Sequence, residues 1–378
     1  MDILRYELGK VFSRKLTWVC TALLCLLAFV MWSGEDMVIT PGGERLGGRA
    51  EVEYNQRVAR KYAGELTPEK VYEIMTTEGP GDSGIDSEMT EYYRQPLMNA
   101  MHYLFADVED ELFGVGEWGQ ASSEQIVSQK EAYIQGVEHA SQKMEADGLE
   151  IRLGYSESWE RILYLTTQGM MFAGAIAAIL LAGIFADEYT RGTDALILTS
   201  RYGRKRVAAV KVLAGILAAA VIYLLYLLCV FLRMFFSYGL EGWDTSIQVS
   251  SLGVYTDAAL PINYLQAFLL EFALWMMGML MVAATTMIVS VWSRSSFIAV
   301  VAAVTLYFFP AIIAAGIPAW LLCLTPIGML SATVLLLDPV RIGTVALPSQ
   351  CFSFLVGIVV IALAFWLCRR SFSKHQVS

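Results

Sequence analysis

The sequence predicts an all-α polytopic membrane protein. It has six transmembrane helices, an N-terminal interfacial elbow helix, a re-entrant element before the last span, and a mostly helical extracellular domain between the first two spans. Three observations predict this. Of 378 residues, 56% are hydrophobic and only 17% charged, where a soluble domain carries roughly a quarter. Several apolar runs exceed the ~18 residues needed to cross a bilayer. The formal net charge of -9 is also segregated. Residues 34–161 hold about 26 acidic and 11 basic residues, about -15 net, and the rest carries about +6. That describes an acidic soluble insert within a basic-flanked membrane part, and it gives no basis for nucleic-acid binding. All six cysteines lie in or beside apolar segments and none in the insert, so the insert is not a disulfide scaffold.

The elements follow in order. In residues 1–15, Leu4, Leu8, Val11 and Phe12 share one helical face, with Arg5, Lys10 and Arg14 largely elsewhere. This is an interfacial amphipathic helix whose cations are available to anionic headgroups. It leads into a first span, 16–33. The long amphipathic start and the lack of an Ala-x-Ala site argue against a cleaved signal peptide, and Arg5, Lys10, Arg14 and Lys15 place this end in the cytoplasm. Residues 34–161 then lie outside. Helical patterns there cover Arg49–Ala63, a segment started by Thr67-Pro68, 88–113 and 122–146. Ser158 is a candidate cap for the second span, 162–186. That span carries Gly169, Ala173 and Ala177 beside Gly174, Ala178 and Ala182, small residues suited to close helix approach either within the subunit or at a dimer seam.

A cytoplasmic loop, 187–206, precedes the third span, 207–232. An external loop, 233–262, leads to the fourth, 263–292, and a tight turn at Arg294 to the fifth, 297–315. Residues 317–337 are apolar but interrupted by proline, within an external segment 316–350. The last span, 351–368, is followed by Arg369, Arg370 and Lys374 in a cytoplasmic tail, 369–378. A seventh crossing would put that tail outside, so 317–337 reads as a re-entrant element around Pro326-Ile-Gly328, shielded by its neighbours. About 14 of the 16 basic residues outside the insert then face the cytoplasm, and the chain is a multi-pass plasma-membrane protein.

The 185–211 stretch organises the rest. It is short, basic and rich in small polar residues, and 193–199 is long enough for about one and a half helical turns. Its pattern is Phe185-x-x-Glu188-x-x-x-Gly192-Thr193, then Leu198-Thr-Ser, then Arg204-Lys205-Arg206, then Lys211 at the mouth of the next helix. This resembles the first cytoplasmic loop of ABC-2 type exporter permeases, and the six-span arrangement is also that family's. The resemblance covers the membrane part of the chain, and the large insert departs from the minimal permease. It implies a permease that does no covalent chemistry and works as a dimer, either of itself or with a paralogous permease, within the lipid bilayer. It implies a separate ABC ATP-binding subunit that holds ATP and Mg. Asp187, Glu188, Arg191, Gly192, Thr193, Arg204 and Lys211 are then the candidate coupling residues.

The residues themselves carry no catalytic or metal constellation. There is no Gly-x-x-x-x-Gly-Lys-Ser/Thr loop, no His-Glu-x-x-His, no Gly-x-Ser-x-Gly and no histidine in any span. This chain is therefore expected to hold no cofactor and not to be an enzyme. Glu271 is the one acid deep in a span. Such residues face a bundle interior or aqueous cavity. It either lines a translocation path with Gln168, or is a structural carboxyl, protonated or paired with Arg233 or Gln168. The alternative function is a membrane sensor or assembly protein whose acidic outer domain binds a ligand.

Overall fold

In a computed structural model the residues described are 2–31, 37–40, 43–67, 150–193, 206–250, 262–316, 318–331, 340–342 and 345–374, with a few single positions between. The sequence-predicted helix at 88–113, all but four single positions of that at 122–146, nearly all of the segment started by Thr67-Pro68, and all of loop residues 194–205, Arg204 included, lie outside them.

The chain opens with helix α1 (Asp2–Phe12), which bends by 64° into α2 (Lys15–Val30). Thr17 Oγ1 donates to Val11 O at 2.6 Å and Trp18 Nε1 to Phe12 O at 2.7 Å. These bonds take up carbonyls that the end of α1 would otherwise leave unpaired. The hairpin β1 (Met37–Ile39)–β2 (Arg45–Gly47) follows, antiparallel with Met37 opposite Gly47. Next come α3 (Arg49–Tyr62), where the sequence places a helix, and β3 (Gly64–Glu65), paired with β4 (Arg152–Leu153). The long helices are α4 (Glu157–Leu181), continued by α5 (Gly183–Thr190), α6 (Ala208–Tyr238) and α7 (Tyr264–Trp292). They are followed by α8 (Ser296–Ile312), the four-residue α9 (Ala319–Leu322) and α10 (Pro326–Met329), a hairpin β5 (Val340–Ile342)–β6 (Val345–Leu347), and α11 (Ser349–Lys374).

Among the described residues, four helical segments are long and apolar enough to cross a membrane: 157–190, 208–238, 264–292 and 349–373. The bent α1–α2 pair makes a fifth if counted as one span. α8 is apolar but only 17 residues long, roughly 26 Å against a hydrocarbon core of about 30 Å. The helices overrun the spans expected from hydropathy. α4 begins at Glu157, so Ser158 lies inside its first turn rather than at its cap. α6 passes Arg233 and ends at Gly239, whose φ of 77° terminates it.

Two compact units divide the chain. The first comprises residues 1–32, 163–232 and 270–378. Its helices meet through tyrosines that reach into glycine notches. Tyr226 of α6 donates to Leu165 O of α4 at 2.8 Å, and a Cβ on Gly169 would lie 1.8 Å from that hydroxyl. Tyr307 of α8 donates to Met171 O at 2.9 Å, over Gly174. The small-residue face of α4 is therefore filled within the subunit. Tyr223 of α6 donates to Phe272 O of α7 at 2.9 Å. α9 and α10 pack on α7 through Cys323 and Met329 against Leu274 and Met281. Large apolar side chains such as Leu23, Leu26, Leu228, Ile298 and Ile358 remain exposed, as befits surfaces solvated by lipid.

The second unit comprises residues 33–162 and 233–269. The loop after α6 therefore belongs with the insert, which local hydropathy did not predict. Arg60 pairs with Glu241 at 2.6 Å, Gln56 donates to Tyr238 O at 3.3 Å, and Ser246 N donates to Arg152 O at 3.0 Å. In the first turn of α4, Arg161 pairs with Glu157 and stacks over Tyr238 with its guanidinium carbon 4.5 Å from the ring centre. Tyr155 donates to the same Glu157 at 2.6 Å.

Candidate functional site at α5

The stretch that connects α4 to α6 is built around α5. The helix is stopped by a Schellman arrangement. Thr193 N donates to Glu188 O at 3.0 Å and Gly192 N to Tyr189 O at 3.2 Å, with Gly192 at φ 64°. Only glycine adopts that conformation without strain. Gly183 opens the helix, and a Cβ there would sit 2.7 Å from Asp187 Oδ1, so the bare backbone lets Asp187 fold back along the helix.

Glu188 is buried. Its Oε1 accepts from Lys211 Nζ at 2.9 Å and from Lys10 Nζ at 2.7 Å, and its Oε2 from Thr193 Oγ1 at 2.9 Å. Lys211 of α6 is fully buried. It also donates to Glu7 Oε2 at 2.9 Å and Ile184 O at 3.1 Å. Lys10 returns to Glu7 Oε1 at 3.2 Å. Two lysines and two glutamates thus close a ring that joins α1, α5 and α6. Each lysine neutralises part of each carboxylate, which a buried charge requires. Burial alone would push the Lys10 pKa down. Its hydrogen bond to Glu188 and the charges of Glu7 and Glu188 outweigh that and hold it above the usual lysine value.

Asp187 ties two further elements. Its Oδ2 accepts from Arg14 at 2.6 Å and its Oδ1 from Ser296 Oγ at the start of α8. Thr190 and Ser296 hydroxyls lie 3.2 Å apart. Ser290 Oγ of α7 accepts from Phe185 N at 3.0 Å and Ala186 N at 3.1 Å. Phe372 of α11 packs against Phe185, ring centres 5.5 Å apart, and Tyr189, 6.2 Å. α5 is therefore in direct contact with α1, α6, α7, α8 and α11. A cavity of about 660 Å³ beside it is lined by Tyr6, Lys10, Arg14, Arg191 and Val207 among others.

Of the residues singled out from sequence, Glu188 and Lys211 come together, Asp187 turns instead to Arg14 and Ser296, Gly192 and Thr193 form the helix stop, and Arg191 is exposed at its end. Arg204 lies outside the described residues. Lys10 and Arg14, expected to serve headgroups, instead hold protein carboxylates. Glu7 was missed, although its place within the Leu4, Leu8, Val11 stripe marks it as an acid on a packing face. Gln168 is half-buried on α4. Glu271 is completely buried, and neither carboxylate oxygen has a hydrogen-bond partner among the described residues, so it stands without the pairing partner expected for it.

A family model described as ABC-2 family transporter protein matches residues 1–377. No curated protein and no solved structure matches the chain.

Proposed function

The chain belongs to the ABC-2 transporter family, and from that premise we propose that it is the membrane-spanning permease subunit of an ATP-driven exporter. It forms the translocation path and is coupled through the 187–199 loop to a separate ATP-binding subunit that holds ATP and Mg. The observation that carries this reading is α5. A force applied at one end of the α5 loop reaches five other helices through named bonds, and its buried ion ring resists local yielding. Closure of the ATP-binding subunits would be passed by α5 and α1 to the bundle, rocking it between inward and outward access.

In this reading there are six spans, with α2 and α8 completing the set, and both termini are cytoplasmic. Residues 34–161 are extracellular, the 317–337 segment is re-entrant, and the permease pairs with a second copy or a paralogue. Glu188 acts as an internal anchor. The exposed Arg191, with Arg204 beyond it, faces the ATP-binding partner. Glu271 and Gln168 face the path.

The test is an affinity pull-down of tagged protein from native membranes in mild detergent, with mass spectrometry and an ATPase assay. A stoichiometric ATPase subunit is expected, weakened by Arg191→Glu. Glu188→Ala is expected to keep membrane insertion and to lose the coupling of ATP turnover to transport. A clean preparation without any ATPase refutes the permease reading and favours a sensor built on the extracellular unit.

A further inference from the structure

We propose that Glu271 is a proton-exchange site of the transport cycle, carried as the neutral acid in the arrangement seen here and ionised in another. The proposal rests on α7 being a span of a permease.

Glu271 lies at the start of the third turn of α7, whose other 28 residues include no Asp, Glu, Lys or Arg. It is 0% exposed and, among the described residues, both its oxygens lack a hydrogen-bond partner. An ionised carboxylate so placed is shut off from bulk solvent and has no cation among the described residues to compensate its charge, and the neutral acid is the form such a site can hold. The titratable groups beside it are Tyr223, from α6, and Cys323, from the segment carrying α9 and α10. Neither is a cation, and no described ion pair includes Glu271. Tyr223 spends its hydroxyl proton on Phe272 O.

A second observation is independent of the first. Trp275, one helical turn along, is also 0% exposed, and its indole Nε1 has no acceptor among the described residues. Residues four apart share a helix face. A fully buried donor without an acceptor therefore shares a helix face with a fully buried carboxyl, among the described residues. A site meant only for packing gains nothing from either group. A site that alternates between neutral and ionised forms needs donors that can turn to the charge when it appears; the unused Trp275 N–H on the same helix face is one, and Tyr223 O–H becomes a second only by leaving Phe272 O.

The segment that brings Cys323 beside Glu271 is built from short elements. α9 and α10 are four-residue helices. They fit α7 tightly: a Cβ on Gly278 would lie 2.8 Å from Leu330. Displacement of this pair from α7 would admit water. The proton then leaves the carboxyl oxygen for that water and returns from water when the site is next opened, so no other reactant is required.

The test uses the full-length permease with its co-purified ATPase in lipid nanodiscs. Dicyclohexylcarbodiimide, a lipid-soluble reagent for protonated carboxyls, is applied at about pH 7.5, where ordinary glutamates are ionised. Peptide mass spectrometry should find an adduct on Glu271 and none on exposed glutamates, and ATP turnover should change its rate at least about threefold. Infrared spectroscopy at the same pH should show a carboxylic-acid carbonyl band that Glu271→Gln removes. Should that variant fail to fold, the wild-type adduct and its response to ATP still decide. Absence of both adduct and band overturns the proposal. So does an adduct whose rate ATP leaves unchanged in a complex that hydrolyses ATP. A preparation with no ATPase refutes the permease reading itself, and with it the cycle.

Discussion

Replacing Lys211 with Met keeps the length of the side chain and deletes the ammonium that three groups share. Glu188 retains Lys10 at 2.7 Å and Thr193 at 2.9 Å, whereas Glu7 keeps only Lys10, at 3.2 Å, with its side chain 4% exposed. Removing one partner of a buried ion pair costs about 3–5 kcal/mol. Because Lys10 still touches both carboxylates, the loss belongs at the lower end, ~3 kcal/mol, and falls on the docking of α1 against α5 and α6. Local opening of α1 is read by hydrogen exchange of its amides in nanodiscs. At about 1.4 kcal/mol per tenfold, exchange should accelerate roughly 100-fold. Adding Glu7→Gln removes the stranded charge and should recover at least ~1 kcal/mol, so the pair is non-additive. Exchange within about threefold of wild type in Lys211→Met, or strict additivity in the double variant, would refute the claim that this ring holds α1.

Arg14→Ala removes a pair that is 35% and 24% exposed and should cost less than ~1 kcal/mol, under about fivefold in the same exchange measurement. Gly192→Ala should destabilise the end of α5 by about 1 kcal/mol, with Asn costing less, seen as faster exchange of the amides at 191–193 that close the cap. The contribution of Lys10 has a definite pH sign. Its folded value lies above the ordinary lysine value of 10.5, so its stabilisation is complete below that pH and lost as pH rises through the folded value. α1 exchange, corrected for its intrinsic pH dependence, should stay level between about pH 6 and 9 and rise only in strong alkali.

The long helices were legible because each is a single apolar run, and hydropathy needs no partner to be read. The same holds for α3, whose amphipathic face is complete in 14 residues. What was not legible is pairing at a distance. Lys211 stood out only through resemblance, though a lysine inside an apolar run demands a carboxylate, and Glu7 on an apolar stripe demands a cation. Each sequence neighbourhood poses half of a question whose other half lies 204 residues away. The membership of residues 233–269 in the insert's unit escaped for the same reason, since Arg60–Glu241 joins positions that hydropathy separates by two spans. Gly169 and Gly174 read as a generic small face, and only the tyrosines that fill them show which surface they serve.

The distance between Glu7 and Lys211 also sets an order of events during synthesis. At about 5–20 residues per second, the ribosome reaches Lys211 roughly 10–40 s after it has made Glu7. Glu188 and Lys211 emerge almost together, so half of the ring is ready at once. For that interval the finished N-terminal helix has no buried ammonium to receive its acid. It must wait where water or headgroups can solvate Glu7, and it can settle only after α6 arrives. Attachment of the first helix therefore waits until more than half of the 378-residue chain has been made, and a ribosome stalled before residue 211 should leave that helix accessible to protease.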